Sequence, residues 1–263
     1  MMRVAVPIRM ALWTVAGAVL VLLYGPLAVA MFFSFFKLRS NQVQWDSFSF
    51  EAYGKLPANE NVIDALGNTL LVGSAAVAAA LVLGTLLAFY YHGGRSRTRE
   101  WLQLVIFLPF LMPPILTGLA LLIFFRQIDF PRSLVTVVIG HTVFVLALVY
   151  RNVLARLQTL SRSLVEASLD LGASRWQTFR HVLLPNLATA LLAAAILAFA
   201  LSFDETLITL LVTGTKNTLP LWLWSMMRLG FTQDINALVT LILVATTALC
   251  LVAARYLTIP QAR

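Results

Sequence analysis

A chain of 263 residues that is 60% apolar and only 11% charged departs from soluble domains, where about half the residues are apolar and about a quarter charged. It belongs in a bilayer, and its formal charge of +8 does not mark a nucleic-acid binder, because the basic residues occupy short gaps between apolar runs rather than one face. Cys250, the single cysteine, lies inside an apolar run, so a disulfide framework and a cysteine metal cluster are both excluded.

A hydrocarbon core needs about 20 apolar residues of helix, and six runs approach that length: residues 11–36, 66–91, 102–125, 134–150, 186–212 and 235–254. With no linker or repeat between them, residues 1–263 read as one all-α transmembrane domain. Arg3 and Arg9 before the first run, and Ala28, Val29 and Ala30 within it, resemble a secretory signal. The apolar stretch continues well beyond the roughly 7 to 15 residues of a signal core, which predicts a span.

Six spans put alternate loops on opposite sides. The termini with loops 92–101 and 151–185 hold twelve Lys and Arg, including Arg95, Arg97, Arg99, Arg156, Arg175 and Arg180, against seven in loops 37–65, 126–133 and 213–234. Basic residues concentrate on the cytoplasmic side, so both termini are expected there. The acids Asp46, Glu51, Glu60, Asp64, Asp129 and Asp234 all fall in the outer loops.

Pro109, Pro113 and Pro114 each remove a backbone donor, so the third span should be kinked or broken; broken helices in a membrane lie against protein or a wet cavity. A kink serving packing alone is the other reading. The fourth run is short and holds His141, read as a satisfied packing residue in preference to a proton relay.

Loop 151–185 reads as two short helices. Ser163 followed by Glu166 fits a capping box, Leu164, Ala167, Ser168 and Leu171 share one helical face, and Gly172 is placed to end the helix in a left-handed conformation. Ser174 and Gln177 repeat the capping pattern ahead of Pro185.

Glu166, Ala167 and Ser168, then Gly172, then Val182, Leu183, Leu184 and Pro185 resemble the cytoplasmic signature of binding-protein-dependent ABC importer permeases. Ser168 replaces the second alanine of that pattern and Val182 its usual isoleucine, both conservative changes. The resemblance implies a six-helix permease of the type I ABC importer kind in a bacterial inner membrane. Its loop would be the coupling helix seated in an ATPase subunit, through Glu166, Ala167, Ser168, Gly172, Leu184 and Pro185. It further implies a homologous second permease, two cytoplasmic ATPases that bind ATP and Mg, and a periplasmic or lipid-anchored substrate-binding protein. The chain itself would bind no cofactor or metal and catalyse nothing, and it has no Walker A pattern.

Asp204 and Glu205 interrupt the fifth run. A carboxylate at mid-bilayer costs about 2.5–3.5 kcal/mol, so the pair either lines a wet path or ends a helix at the interface; Thr206 to Val212 would then form a separate short helix. The stretch from Ser202 through Thr213, Gly214, Thr218, Leu219, Pro220 and Leu221 to Ile235, Asn236, Ala237 and Leu238 is similar to spermidine and putrescine permeases. That likeness implies a polyamine or related small cationic or polar solute, with Phe203, Asp204, Glu205 and Trp222 as candidate path residues. Trp222 and Trp224 also fit an interfacial belt. The rivals are a permease for another solute and an ion-coupled transporter using His141 with the acid pair. A hydrolase is disfavoured by the lack of His-Glu-x-x-His, Gly-x-Ser-x-Gly or a cysteine beside a base.

Overall fold

The computed structural model describes residues 6–39, 42–93, 98–230 and 232–256; Arg3, Arg95, Arg97 and Arg263, counted above for orientation, lie outside them. Apart from one two-stranded hairpin, the described chain is helical. Among the described residues four helices are long and apolar enough to cross a bilayer: Ile8–Phe33, Glu60–His92, Leu134–Thr159 and Arg175–Asp204. A bent pair makes a fifth crossing if taken as one span, and Gln233–Ala248 is apolar but shorter.

The chain divides into two compact units, residues 1–63 with 223–263, and residues 64–222. In the first, α1 (Val6–Phe33) packs on α12 (Gln233–Tyr256). The loop after α1 forms a small cap from the hairpin β1 (Leu38–Arg39) and β2 (Gln42–Val43), then α2 (Glu51–Lys55). Aromatic rings fill it: Phe35 stacks on Phe48 at 5.7 Å and Phe36 meets Trp45 edge-on at 5.6 Å. The Gln233 amide donates to the Ser34 and Ser49 carbonyls at 3.1 and 3.2 Å, tying α12 to the cap. Lys55 and Lys37 both pair with Glu51, and hydrogen bonds from Lys55 first, then Lys37, hold its carboxyl at about 2 against an ordinary 4.5.

The second unit is built on α6 (Leu134–Thr159), which packs against α9 (Leu184–Asp204), α10 (Leu207–Val212) and α4 (Thr98–Leu111). Small residues allow close approach, as is usual between membrane helices: a Cβ on Gly84 of α3 (Glu60–His92) would lie 3.0 Å from Val149 Cγ1, and one on Gly73 3.0 Å from the Phe199 ring. Tyr150 is fully buried at the centre, with Tyr91 and Phe107 meeting its ring edge-on.

The third span is broken as its prolines require. α4 ends at Leu111, α5 (Pro114–Gln127) begins at Pro114, and their axes differ by 106°. Pro113 has no N–H for the Pro109 carbonyl, and the Thr117 hydroxyl donates to that oxygen instead, at 3.3 Å. The fourth span differs from expectation: it is not short but continues from Tyr150 to Thr159. Arg151, Asn152 and Arg156 end the apolar run without ending the helix, because Val153, Leu154 and Leu157 keep one face buried. The fifth run is two helices, α9 and α10, parted at Glu205 and Thr206.

Candidate functional site

The first candidate site is the loop after α6, which holds α7 (Arg162–Asp170) and α8 (Arg175–Thr178). Its N-cap is Ser161, not Ser163: the Ser161 hydroxyl accepts the Ser163 N–H at 3.3 Å. Both serines can cap a helix, although only Ser163 has a Glu three residues on, and the extended backbone at Leu160, where α6 stops, selects the earlier one. Glu166 therefore sits mid-helix rather than in a capping box, and it is exposed.

The other end follows expectation. Gly172 has φ +84°, the Ala173 N–H donates to the Ser168 carbonyl at 3.1 Å and the Gly172 N–H to Leu169 at 2.9 Å. This is a Schellman termination, which needs a left-handed residue at that point. Ser174 and Gln177 form the reciprocal capping box at 3.2 and 2.7 Å. Ser168 and Thr178 hydroxyls join α7 to α8 at 3.0 Å. Pro185 cannot donate backward, and the turn before it, Phe179–Leu183, widens into a π-helix that runs on into α9.

No residue of α7 is buried, and Leu164, Leu169 and Leu171 expose 44, 41 and 89% of their surface. Leu164 and Leu171, seven residues apart, share one exposed face of this short polar segment. Behind it, a cleft of ≈650 Å³ is lined by Phe89, His92, Leu157, Arg162, Val165 and Glu166, among others.

The second candidate site is the break between α9 and α10. Asp204 is the last residue of α9 and is exposed, whereas Glu205 is 7% exposed. Both border an open cleft of ≈440 Å³ whose other walls are Phe144 and Leu148 of α6 and Leu197, Ala200 and Leu201 of α9. Glu205 turns back on the chain: its Oε1 accepts the Ile208 N–H at 2.9 Å, serving an otherwise orphan donor at the start of α10. Among the described residues neither Phe203 nor Trp222 borders this cleft. The Phe203 ring lies 6.2 Å from that of Phe199, and half-buried Trp222 lies in α11 (Leu219–Leu229), its backbone N–H donating to the Thr218 carbonyl at 2.8 Å.

His141 is fully satisfied, as a packing residue should be. Its Nδ1 lies 2.8 Å from the Ser202 hydroxyl and its Nε2 2.8 Å from that of Thr209. The sequence reading did not single out Thr209; the signal for it is a pair of hydroxyl residues flanking a break in an apolar run. α10 is wedged between α5 and α6, where a Cβ on Gly140 would lie 2.7 Å from Ile208 Cγ2 and one on Gly118 3.1 Å from Ile208 Cα.

The family described as "Binding-protein-dependent transport system inner membrane component" matches residues 80–263. The putrescine transport system permease protein PotI of Escherichia coli (strain K12) is 35% identical over 229 residues, covering 84% of this chain and 81% of its own. The spermidine/putrescine permease protein PotC of the same strain is 28% identical, covering 86% of each. The putative 2-aminoethylphosphonate permease protein PhnV of Salmonella typhimurium is 30% identical, covering 86% and 90%. In structure, a bacterial ABC transporter involved in alginate import aligns with TM-score 0.73 and 16% identity over 98% of this chain and all of that one. An inward-facing MetNI methionine transporter chain aligns at 0.61 and 21% identity over 80% and 97%. These relatives are transport components rather than enzymes, and the residues match over most of their length. The chain belongs to the binding-protein-dependent inner membrane component family and is a permease subunit of an ABC importer.

Proposed function

We propose that this subunit forms half of a translocation path for a small aliphatic amine, a polyamine first of all. The observation that carries this is the exposed Asp204 carboxylate at one end of a cleft otherwise walled by apolar side chains and by Glu205. Such a cleft suits a methylene chain ending in ammonium: the walls cover the methylenes and Asp204 offsets the hydration lost by the charge. Putrescine, spermidine and 2-aminoethylphosphonate, the solutes in the relatives' names, share a primary amine. Asp204 lies 20 residues past Leu184, about 30 Å at 1.5 Å per residue, which sets it toward the outer end of the span that starts at the coupling loop. On the opposite side, α7 with Glu166, Ala167, Ser168 and Gly172, and the Leu184 and Pro185 turn, form the contact for one of two ATPases that bind ATP and Mg. A homologous second permease and an external binding protein complete the assembly, and α1, which has no buried residue in its apolar window, leaves most of its surface for lipid or that second permease. ATP-dependent uptake of labelled putrescine by vesicles containing the whole complex tests the reading. Uptake driven by an ion gradient with no ATPase present would favour the secondary-transporter alternative, against which both His141 nitrogens being engaged by hydroxyls already argues.

The bent pair and α12, taken as spans, give six crossings with both termini in the cytoplasm of a bacterial inner membrane. In a Cys250→Ser background, a cysteine replacing Arg175 is expected to react with an impermeant maleimide only from the cytoplasm, and one replacing Glu51 only from outside. Labelling of position 175 from outside inverts the orientation.

A further inference from the structure

We propose that His141 is a positioning residue for the amine path, a latch that fixes the Asp204 corner against α6 and so sets the width of the cleft. This rests on the reading of Asp204 given above.

The hydrogen bonds have one consistent direction. The Thr209 hydroxyl donates to the Glu205 carbonyl, one turn back, at 3.1 Å, so its oxygen is left to accept from His141 Nε2 at 2.8 Å. A neutral imidazole with its proton on Nε2 then takes the Ser202 O–H at Nδ1, at 2.8 Å. The chain runs from Ser202 on α9 through His141 on α6 to Thr209 on α10 and ends on the carbonyl of the residue that parts the two helices. Every polar atom in it is used, and His141 is 1% exposed, Ser202 2% and Thr209 0%. Buried networks of this completeness fix a unique geometry.

Its place in the fold gives the latch a consequence for transport. His141, Phe144 and Leu148 recur at three and four residues on α6, so they form one stripe of that helix, and the last two are the α6 wall of the cleft. The opposite wall is α9, which ends at Asp204 two residues after the latch partner Ser202. The apolar packing of α6 on α9 is thus joined beside the carboxylate by one hydrogen-bonding side chain. The other side-chain bonds at this corner, from the Ile208 N–H to Glu205 and from the Thr206 hydroxyl to the Asp204 carbonyl at 3.3 Å, are local and do not reach α6. Close contact of Gly140 and Gly118 with Ile208 holds α10 in place, and burial of Leu187, Ala194 and Ala198 holds the body of α9, so the part that His141 secures is the last turn of α9, where Asp204 sits.

The test uses the assembled complex in vesicles, in a Cys250→Ser background with Asp204→Cys as reporter. A trimethylammonium-ethyl methanethiosulfonate reagent is expected to modify Cys at 204 through the open cleft. Adding His141→Phe, which keeps an aromatic ring but makes no hydrogen bond, is expected to raise the modification rate per assembled complex at least fivefold. Thr209→Val, close in volume, should raise it in the same direction and serves where the Phe variant fails to assemble. His141→Gln, which can return a donor to Thr209, should recover at least half of the effect. With Asp204 intact, the same His141 and Thr209 substitutions should lower putrescine uptake at unchanged binding-protein affinity. Modification at an equal rate with and without the Phe and Val substitutions overturns the latch while leaving the cleft standing. No modification with His141 in place overturns the cleft reading itself, and the latch falls with it.

Discussion

Asp204→Asn is expected to lower ATP-dependent uptake of putrescine ten- to a hundredfold, with binding-protein affinity and the amount of assembled complex unchanged. The exchange keeps the volume of the side chain and removes only its charge. A carboxylate and an ammonium about 4 Å apart attract by about 4 kcal/mol at an effective dielectric near 20, and part of that is spent in desolvating the pair. A net loss of about 1.4 to 2.8 kcal/mol corresponds to the stated range. The loss should be smaller for any neutral solute the complex accepts. Glu205→Gln should behave differently, because the Gln carbonyl can still accept the Ile208 N–H that Glu205 now accepts at 2.9 Å; its effect should be milder and similar for charged and neutral solutes. Uptake kinetics unchanged by Asp204→Asn would return Asp204 to the role of a helix end solvated at the interface.

Gly172→Val is expected to reduce transport at least tenfold while the protein still inserts and reaches normal abundance. At φ +84° a residue with a Cβ is strained by about 1–2 kcal/mol, and a β-branched one is the least tolerant. Relief of that strain unwinds the Schellman turn, freeing the Ser168 and Leu169 carbonyls that Ala173 and Gly172 now serve. Nothing else in the protein suffers, since a Cβ at Gly172 would meet no atom within 4 Å. The damage is confined to the direction in which α7 leaves its turn, and hence to the proposed seating of Glu166, Ala167 and Ser168 on the ATPase. Gly172→Asn is the control, since asparagine enters the left-handed region readily, and it should keep most of the activity. Equal transport by the Val variant and the parent at equal membrane abundance would show that this turn does not govern coupling.

Several features were legible in the residues because each is fixed by local chemistry. A run of apolar residues long enough for a bilayer must be helical wherever it is placed, since no water is present to satisfy its backbone. Pro113 and Pro114 break the third span because a missing N–H is missing in any fold. Gly172 and the Ser174 and Gln177 box likewise act within one turn of chain. Where two serines competed for one cap, local pattern was not enough, and the choice of Ser161 over Ser163 followed from where α6 ends.

The ends of the helices and the roles of the polar residues inside them needed the packed structure. α6 outlasts its apolar run because Val153, Leu154 and Leu157 are covered by other helices, and burial by a neighbour is not written in a single segment. The acid pair shows the same division. Adjacent residues on a helix diverge by about 100°, which from sequence predicts different directions for Asp204 and Glu205; in the structure α9 stops at Asp204 and Glu205 is an extended cap beyond it. Both border the cleft, and only the tertiary structure decided which carboxylate stays exposed there: α10, wedged against Gly118 and Gly140, places its orphan Ile208 N–H where Glu205 can reach it, and Asp204 is left exposed. The partners of His141 were beyond the sequence for the same reason. Ser202 and Thr209 stand 61 and 68 residues away, and only the packing of α9 and α10 on α6 brings both hydroxyls to the two nitrogens of one ring.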